Sequence, residues 1–319
     1  MNSPQEMIST REIAGQTLLE LGSEIPDMVV VGGDLNKSTY SNKFGSKFPE
    51  RFFDLGAAEQ NMISVAAGLA ASGKIPVVST FAVFGTSRPY DQLRVGVSQP
   101  NLNVKVILTH AGLLTGEDGV SAQSIEDIGI MATLPNFSVV VPSDGIEARE
   151  SIKTAMETDG PFYIRLSRPA IPVIHNNDFE FQLGKAETMR DGDDVTIVAC
   201  GIMVNAAIEA AVVLDRFGVS CRVLNMSTIK PLDTMALAKA ARETGAIVTA
   251  EEHYINSGLG SLVSHALSRI EPVPVESVAL HGYAESGQPE ELFTKYHLNY
   301  TDIEHAVRVV IDRKKKSSY

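Results

Sequence analysis

Residues 52–80 read FFDLGAAEQNMISVAAGLAASGKIPVVST. The strand-like FFDLG is followed by a run over 58–72 that is apolar nearly all round, then a Ser72-Gly73 stop, then the β-branched IPVVST. A helix between two apolar strands is the crossover unit of a parallel sheet. An all-round apolar helix is expected to be buried rather than to lie on the surface as an amphipath.

The same alternation extends outward from this unit. Apolar runs rich in Val and Ile predict strands over 28–31, 76–79, 104–108, 138–141 and 162–164, with helices at about 8–22, 58–72, 88–98, 123–133 and 145–158. The stretch PAIPVIHNNDFEFQ at 169–182 carries prolines and asparagines without sustained period, as a linker does. Beyond it, strands are predicted over 195–199, 220–224 and 246–249, with helices over 202–217, 234–244, about 257–269 and 301–312. The expected fold class is α/β. Two consecutive domains, 1–170 and 190–319, are joined by a linker over 171–189, each a mostly parallel sheet flanked by helices.

Bulk properties remove several function classes. A formal charge of -12 disfavours binding to nucleic acid or to an anionic membrane, since both need a basic field. No apolar run is long enough to span a bilayer, and the first ten residues lack the basic start and apolar stretch of a signal peptide, so a cytoplasmic protein is expected. The basic cluster at 313–316 is read as a frayed, solvated end. Cys200 and Cys221 sit in or beside strand-like runs, as small buried hydrophobes in a reducing compartment do. The seven histidines include no pair at i, i+4 ligand spacing in a credible helix, so no protein-built metal site is expected.

Three stretches carry candidate chemistry. Glu59 is the only charge in GAAEQNMISVAAGLAASG and falls in the first turn of its helix. The helix dipole favours its anion while burial among alanines favours the neutral acid, so it reads either as a functional group with a contested proton or as an ordinary dipole-complementing carboxylate. THAGLLTGEDGVSAQSIEDIG, at 109–129, places His110, Glu117 and Asp118 beyond the carboxyl end of a strand, where open α/β sheets bind ligands. A GEDG segment by itself is equally a plain turn. Phe81 and Phe84, just past IPVVST, suit either stacking on a flat ring or core packing.

Taken in series, AAEQNM, STFAVF, THAGLLTGEDG, VPSDG and RLSRP resemble the C-terminal half of transketolases in order and approximate spacing. The resemblance covers essentially the whole chain as that family's pyrimidine-binding domain followed by its C-terminal domain. It implies that Glu59 is the glutamate on N1' of the thiamine diphosphate aminopyrimidine, where it promotes loss of the C2 proton. It implies that Phe81 and Phe84 pack against that ring. His110 would contact donor-sugar hydroxyls and assist their deprotonation, Asp118 would recognise a hydroxyl beside the reacting carbon, and Arg168 and Ser38 would hold the substrate phosphate.

One departure bears on the substrate. Many transketolases have a histidine three residues after the glycine matching Gly119, or a glutamine in the animal type, where this chain has Ala122. Recognition there is weaker, taken over by Gln123, or aimed at a different sugar. The family's GDG motif followed by an asparagine, which holds Mg2+ and diphosphate in an N-terminal domain, is not found. The resemblance therefore implies one half of a split transketolase, joined to an N-terminal, diphosphate-binding subunit in an α2β2 heterotetramer and acting on sugar phosphates. Three rivals remain: the β subunit of a 2-oxo acid dehydrogenase, whose substrates offer no row of hydroxyls to read; a severed deoxyxylulose-phosphate synthase, whose family shows a different loop after the same strand; and a non-catalytic scaffold subunit that kept the fold.

Overall fold

A computed structural model of the protein describes residues 6–317. The first sheet has seven strands in the order Thr228–Lys230, Ser138–Val140, Phe162–Arg165, Lys105–Leu108, Ile75–Ser79, Met28–Gly32 and Phe52–Asp54. All neighbours are parallel except the first pair. The second sheet orders Val275–Leu280, Ile247–Tyr254, Val195–Ala199, Cys221–Asn225 and Glu187–Arg190, with only the last strand antiparallel. This is the expected α/β arrangement of two mostly parallel sheets flanked by helices. Both cysteines are free and buried. Among the described residues no helix is long and apolar enough to cross a membrane.

The crossover unit over 52–80 folds as the strand Phe52–Asp54, the helix Glu59–Ala71 and the strand Ile75–Ser79. The helix is not buried all round. Met62, Ile63 and Ala66 pack inward, while Gln60, Asn61, Ser64, Gly68 and Ala71 face outward. Small and short polar residues make that outer face, which is why hydropathy alone left it indistinguishable from the inner one.

Other differences have local causes. The predicted helix over 88–98 starts after Pro89 and runs on without a gap, as one α-helical turn, Tyr90–Gln92, and then a π-helical segment, Leu93–Ser98. The helix expected from 123 starts at Asp127, because Gln123 and Ser124 are used to close the preceding loop. Strands Met7–Ser9 and Ala170–Pro172 pair antiparallel, and Thr228–Lys230 joins the first sheet from the second half of the chain. Each is only three residues long, too short to show a period. The basic cluster at 313–316 is no frayed end. The helix Tyr300–Ser317 runs through it, Arg313 donates to Val275 O at 2.8 Å, and Lys314 donates to Thr244 O at 2.7 Å.

One apolar cluster is shared by the two sheets, beside a second centred on the second sheet and a third on the first. The shared cluster includes Met62, Val106, Ile128 and Tyr163 on the first sheet's side and Val198, Leu224, Leu237 and Val263 on the second's. Inside this contact lies a charged group. Arg165 Nε donates to Asp127 Oδ2 at 2.7 Å, its Nη2 donates to Glu252 O at 3.0 Å, and its Nη1 lies 3.6 Å from Glu252 Oε2. Burial pushes Glu252 up to about 7, opposed by the nearby guanidinium.

Candidate functional site

Parallel strands deliver their carboxyl ends to one edge, and the loops that leave the first sheet there bring the candidate residues together. Glu59 follows Phe52–Asp54, Phe81 follows Ile75–Ser79, His110 follows Lys105–Leu108, Ser38 follows Met28–Gly32, and Arg168 follows Phe162–Arg165. Four of the residues singled out from sequence form a row.

At one end of the row, Glu59 is 5% exposed in the first turn of its helix and accepts a hydrogen bond from Arg88 Nη1 at 2.7 Å. Arg88 is half-exposed, and its guanidinium lies over the Phe84 ring, 4.1 Å from the centroid. The Phe84 and Phe81 rings are 5.9 Å apart and nearly parallel, at 16°. Phe81 in turn stacks on His110, with ring centroids 3.6 Å apart.

His110 is buried in the left-handed region at φ 58°, a conformation uncommon for a side-chain-bearing residue and enriched at functional sites. Two contacts hold it there: Thr115 Oγ1 donates to its carbonyl at 2.7 Å, and its Nδ1 lies 2.8 Å from Thr109 Oγ1. Burial, together with the positive charges of Arg11 and Arg168, pushes the imidazole down to about 3. His110 is a neutral hydrogen-bonding group at ordinary pH.

Beyond His110 lies a cationic patch. Arg168 donates from Nη1 to Thr115 O at 3.0 Å, and its Nη2 lies 3.8 Å from Asp118 Oδ1. Arg11 Nη1 donates to the Ser38 carbonyl at 2.8 Å, and its guanidinium sits over Tyr40, 5.4 Å from the ring centroid. Ser38 also lines a cavity of about 540 Å³ with Asp34, Asn36 and Lys37. Ala122 is buried, and the Gln123 amide donates to Gly116 O at 3.1 Å and Glu285 O at 3.0 Å. Both donors of Gln123 are thereby engaged, so it does not take over as a hydrogen-bond donor to a ligand.

Sequence reasoning missed Arg88 and Arg11. Arg88 stands four residues after Phe84, the helical spacing at which side chains meet, and that signal was present in the chain. Arg11 had no such signal, because only the packing of the helix Thr10–Glu24 beside the strand ends brings it to Ser38.

Arg88 also tests what this row can hold. A flat cation lies on Phe84 and donates an N–H to Glu59, so the pair accepts a planar, electron-poor group with a ring-edge donor. The aminopyrimidine of thiamine diphosphate protonated at N1' has the same two features.

Residues 6–173 match the transketolase pyrimidine-binding domain, and residues 184–303 match the transketolase C-terminal domain. The chain is 39% identical over 310 residues to a putative transketolase C-terminal section of Methanocaldococcus jannaschii, covering 95% of each. It is 39% identical to an apulose-4-phosphate transketolase subunit of Phocaeicola vulgatus, covering 92% of this chain and 94% of that one. Its identity to the 6-deoxy-6-sulfo-D-fructose transketolase subunit SqwH of a Clostridium species is 40%, covering 93% and 92%. The chain spans about half the length of other relatives that it matches, 49% of one from Mus musculus. Among solved structures, a split gene transketolase described as an inactive beta4 tetramer superimposes with a TM-score of 0.89 at 45% identity, covering 97% of this chain and all of that one. The chain therefore belongs to the transketolase family, and what folds here is the family's pyrimidine-binding domain followed by its C-terminal domain.

Proposed function

We propose that this chain is one subunit of a two-component transketolase that moves a two-carbon ketol unit to an aldose from a ketose with an anionic end group, such as a sugar phosphate. The observation that carries the reading is the row from Glu59 through Arg88, Phe84 and Phe81 to His110, ending at the patch of Arg11 and Arg168. The reading is supported by a buried acid at one end, stacked aromatic rings in the middle, and a buried histidine beside two arginines at the other.

When bound, thiamine diphosphate supplies the nucleophilic carbon that the side chains lack. Glu59 would hold the proton at N1' of the aminopyrimidine, with Phe81 and Phe84 supporting the ring. Neutral His110 would hydrogen-bond the donor's hydroxyls and take a proton from one of them. Asp118 would accept from a neighbouring hydroxyl, while Arg168, Arg11 and Ser38 would grip the terminal anion. Two guanidiniums suit a phosphate or a sulfonate, and similar subunits named for acting on each kind of sugar support either.

Mg2+ and the diphosphate would be held mainly by an N-terminal subunit, with the cofactor at the interface of an α2β2 heterotetramer. Support comes from relatives of nearly the same length that are named as subunits, and from the outward face of small residues on the helix that begins with Glu59. The domains are assigned as 1–170 and 190–319 with a linker over 171–189, and the setting as the cytoplasm.

The test is Glu59→Gln and Glu59→Ala, assayed with the partner subunit supplied. Transfer should fall by about 10²-fold or more, the usual loss of an essential acid–base group. Near-native turnover, or decarboxylation of a 2-oxo acid by the assembled native enzyme, would overturn the reading.

A further inference from the structure

The loop that carries Asp118 leaves the first sheet after Leu108, and several of the contacts that fix it come from the second domain. Leu113 and Leu114 pack into the apolar cluster of the second sheet with Val248, Ala250 and Leu280. The Leu114 N–H donates to Glu252 Oε1 at 2.6 Å, and Gly112 passes so close that a Cβ there would land on the Glu252 carboxylate. Further along, the Ser286 hydroxyl donates to the Glu117 carbonyl, and the Gln288 amide donates to the Glu117 carboxylate.

The segment needs such support. Leu113–Asp118 is a short 3₁₀ stretch broken by Gly116 at φ 68°, ψ -119°, and the Gly119 N–H to Gly116 O bond of 3.0 Å that closes the turn around Glu117 and Asp118 leaves both side chains to outside partners. Two adjacent acids then have separate tasks. Glu117 is held by the second domain, and Asp118 is left facing Arg168.

We propose that Ser286 and Gln288, with Glu252 behind them, are positioning residues that aim Asp118 at the donor substrate through their grip on the loop. This rests on the substrate-reading role proposed above for Asp118. The second domain thereby contributes to donor selection without touching the donor.

The test uses the two contacts at the surface, whose loss leaves the fold intact, in the enzyme assembled with its partner. Ser286→Ala and Gln288→Ala should each raise the donor KM by about two- to tenfold, the range for one lost hydrogen bond, with kcat and the acceptor KM within about twofold of native. Gln288→Glu should raise the donor KM further by setting two carboxylates together, and adding Glu117→Gln should restore it, because the amide–carboxylate pair re-forms with its donor and acceptor exchanged. In the chain by itself, amide hydrogen exchange at 117–119 should speed up in both alanine variants. A donor KM unchanged from native, no rescue by the exchanged pair, or unchanged exchange in the loop would overturn the proposal. If the native assembly transfers no ketol unit, the proposed function fails instead, and the exchange measurement still decides whether the second domain holds the loop.

Discussion

Burial leaves Glu59 one strong partner, Arg88, and that partner is half-exposed. A ligand using Glu59 and the open face of Phe84 has to displace it. Arg88→Ala should therefore tighten cofactor binding in the assembled enzyme by a factor of about two to five, the worth of a partly exposed ion pair. Calorimetric titration reads this directly, and weaker binding in the variant would show that Arg88 helps hold the ligand. His110 gives a second expectation at this scale. Because burial and two arginines push its imidazole down to about 3, donor kcat/KM should show no acid limb from this group between about pH 5 and 8. A limb near pH 6 that disappears in His110→Gln would contradict it. Glu59 stood out in the sequence as the only charge in its run, whereas Phe81, Phe84 and His110 were picked out by the resemblance of the short motifs that carry them. Arg11 was not, because its relevance depends on where a helix start lands against a loop 27 residues away.

At the scale of elements, the connection between the domains is held by His175. Its Nδ1 lies 3.0 Å from Asp144 Oδ2, at the start of the helix Gly145–Glu157, and its Nε2 lies 2.8 Å from Glu187 Oε2 on the strand Glu187–Arg190. Burial pulls this imidazole down, but the hydrogen bonds it donates to Asp144 and Glu187 and the charge of Glu147 outweigh it and push it up to about 10. A cation favoured in the folded state stabilises fully below the ordinary value of 6.5, and the contribution is lost as pH rises through about 10. The stability gap between the native chain and His175→Gln in urea should accordingly narrow between pH 6.5 and 10; a gap that widens would refute the pairing. Gly112 is the second element-level case. At φ 77°, ψ -170° it occupies backbone space nearly reserved for glycine, so Gly112→Ala should cost roughly 1–3 kcal/mol before any clash with Glu252, measurable as a lower urea midpoint. Continuous apolar runs placed the central strands, which are buried along their length, and the helical patterns between them placed the long helices. The strands Met7–Ser9, Ala170–Pro172 and Thr228–Lys230 and the π-helical segment after Pro89 escaped these patterns, because pairing partners and local backbone geometry decided them rather than a repeat.

For the whole molecule, the decisive feature is that the two sheets, besides an apolar cluster each, share a third between them. The shared apolar cluster, the strand Thr228–Lys230 added to the first sheet, and Arg165 between Asp127 and Glu252 all cross from one half of the chain to the other. Heating should thus give one calorimetric transition for the chain, and two well-separated transitions would show that the halves fold independently. The sequence by itself determined the α/β class, the alternation of strands and helices, the family, and most of the row from Glu59 to His110. Those follow from local hydropathy and from short motifs, which are properties of neighbours along the chain. Only the tertiary structure decided that the helix after Glu59 keeps one face open, that Arg88 reaches Glu59, that Arg11 enters the site, and that the second domain grips the loop bearing Asp118. Each of these depends on contacts between residues far apart in sequence, where burial and hydrogen-bond geometry, rather than residue type, select the partner.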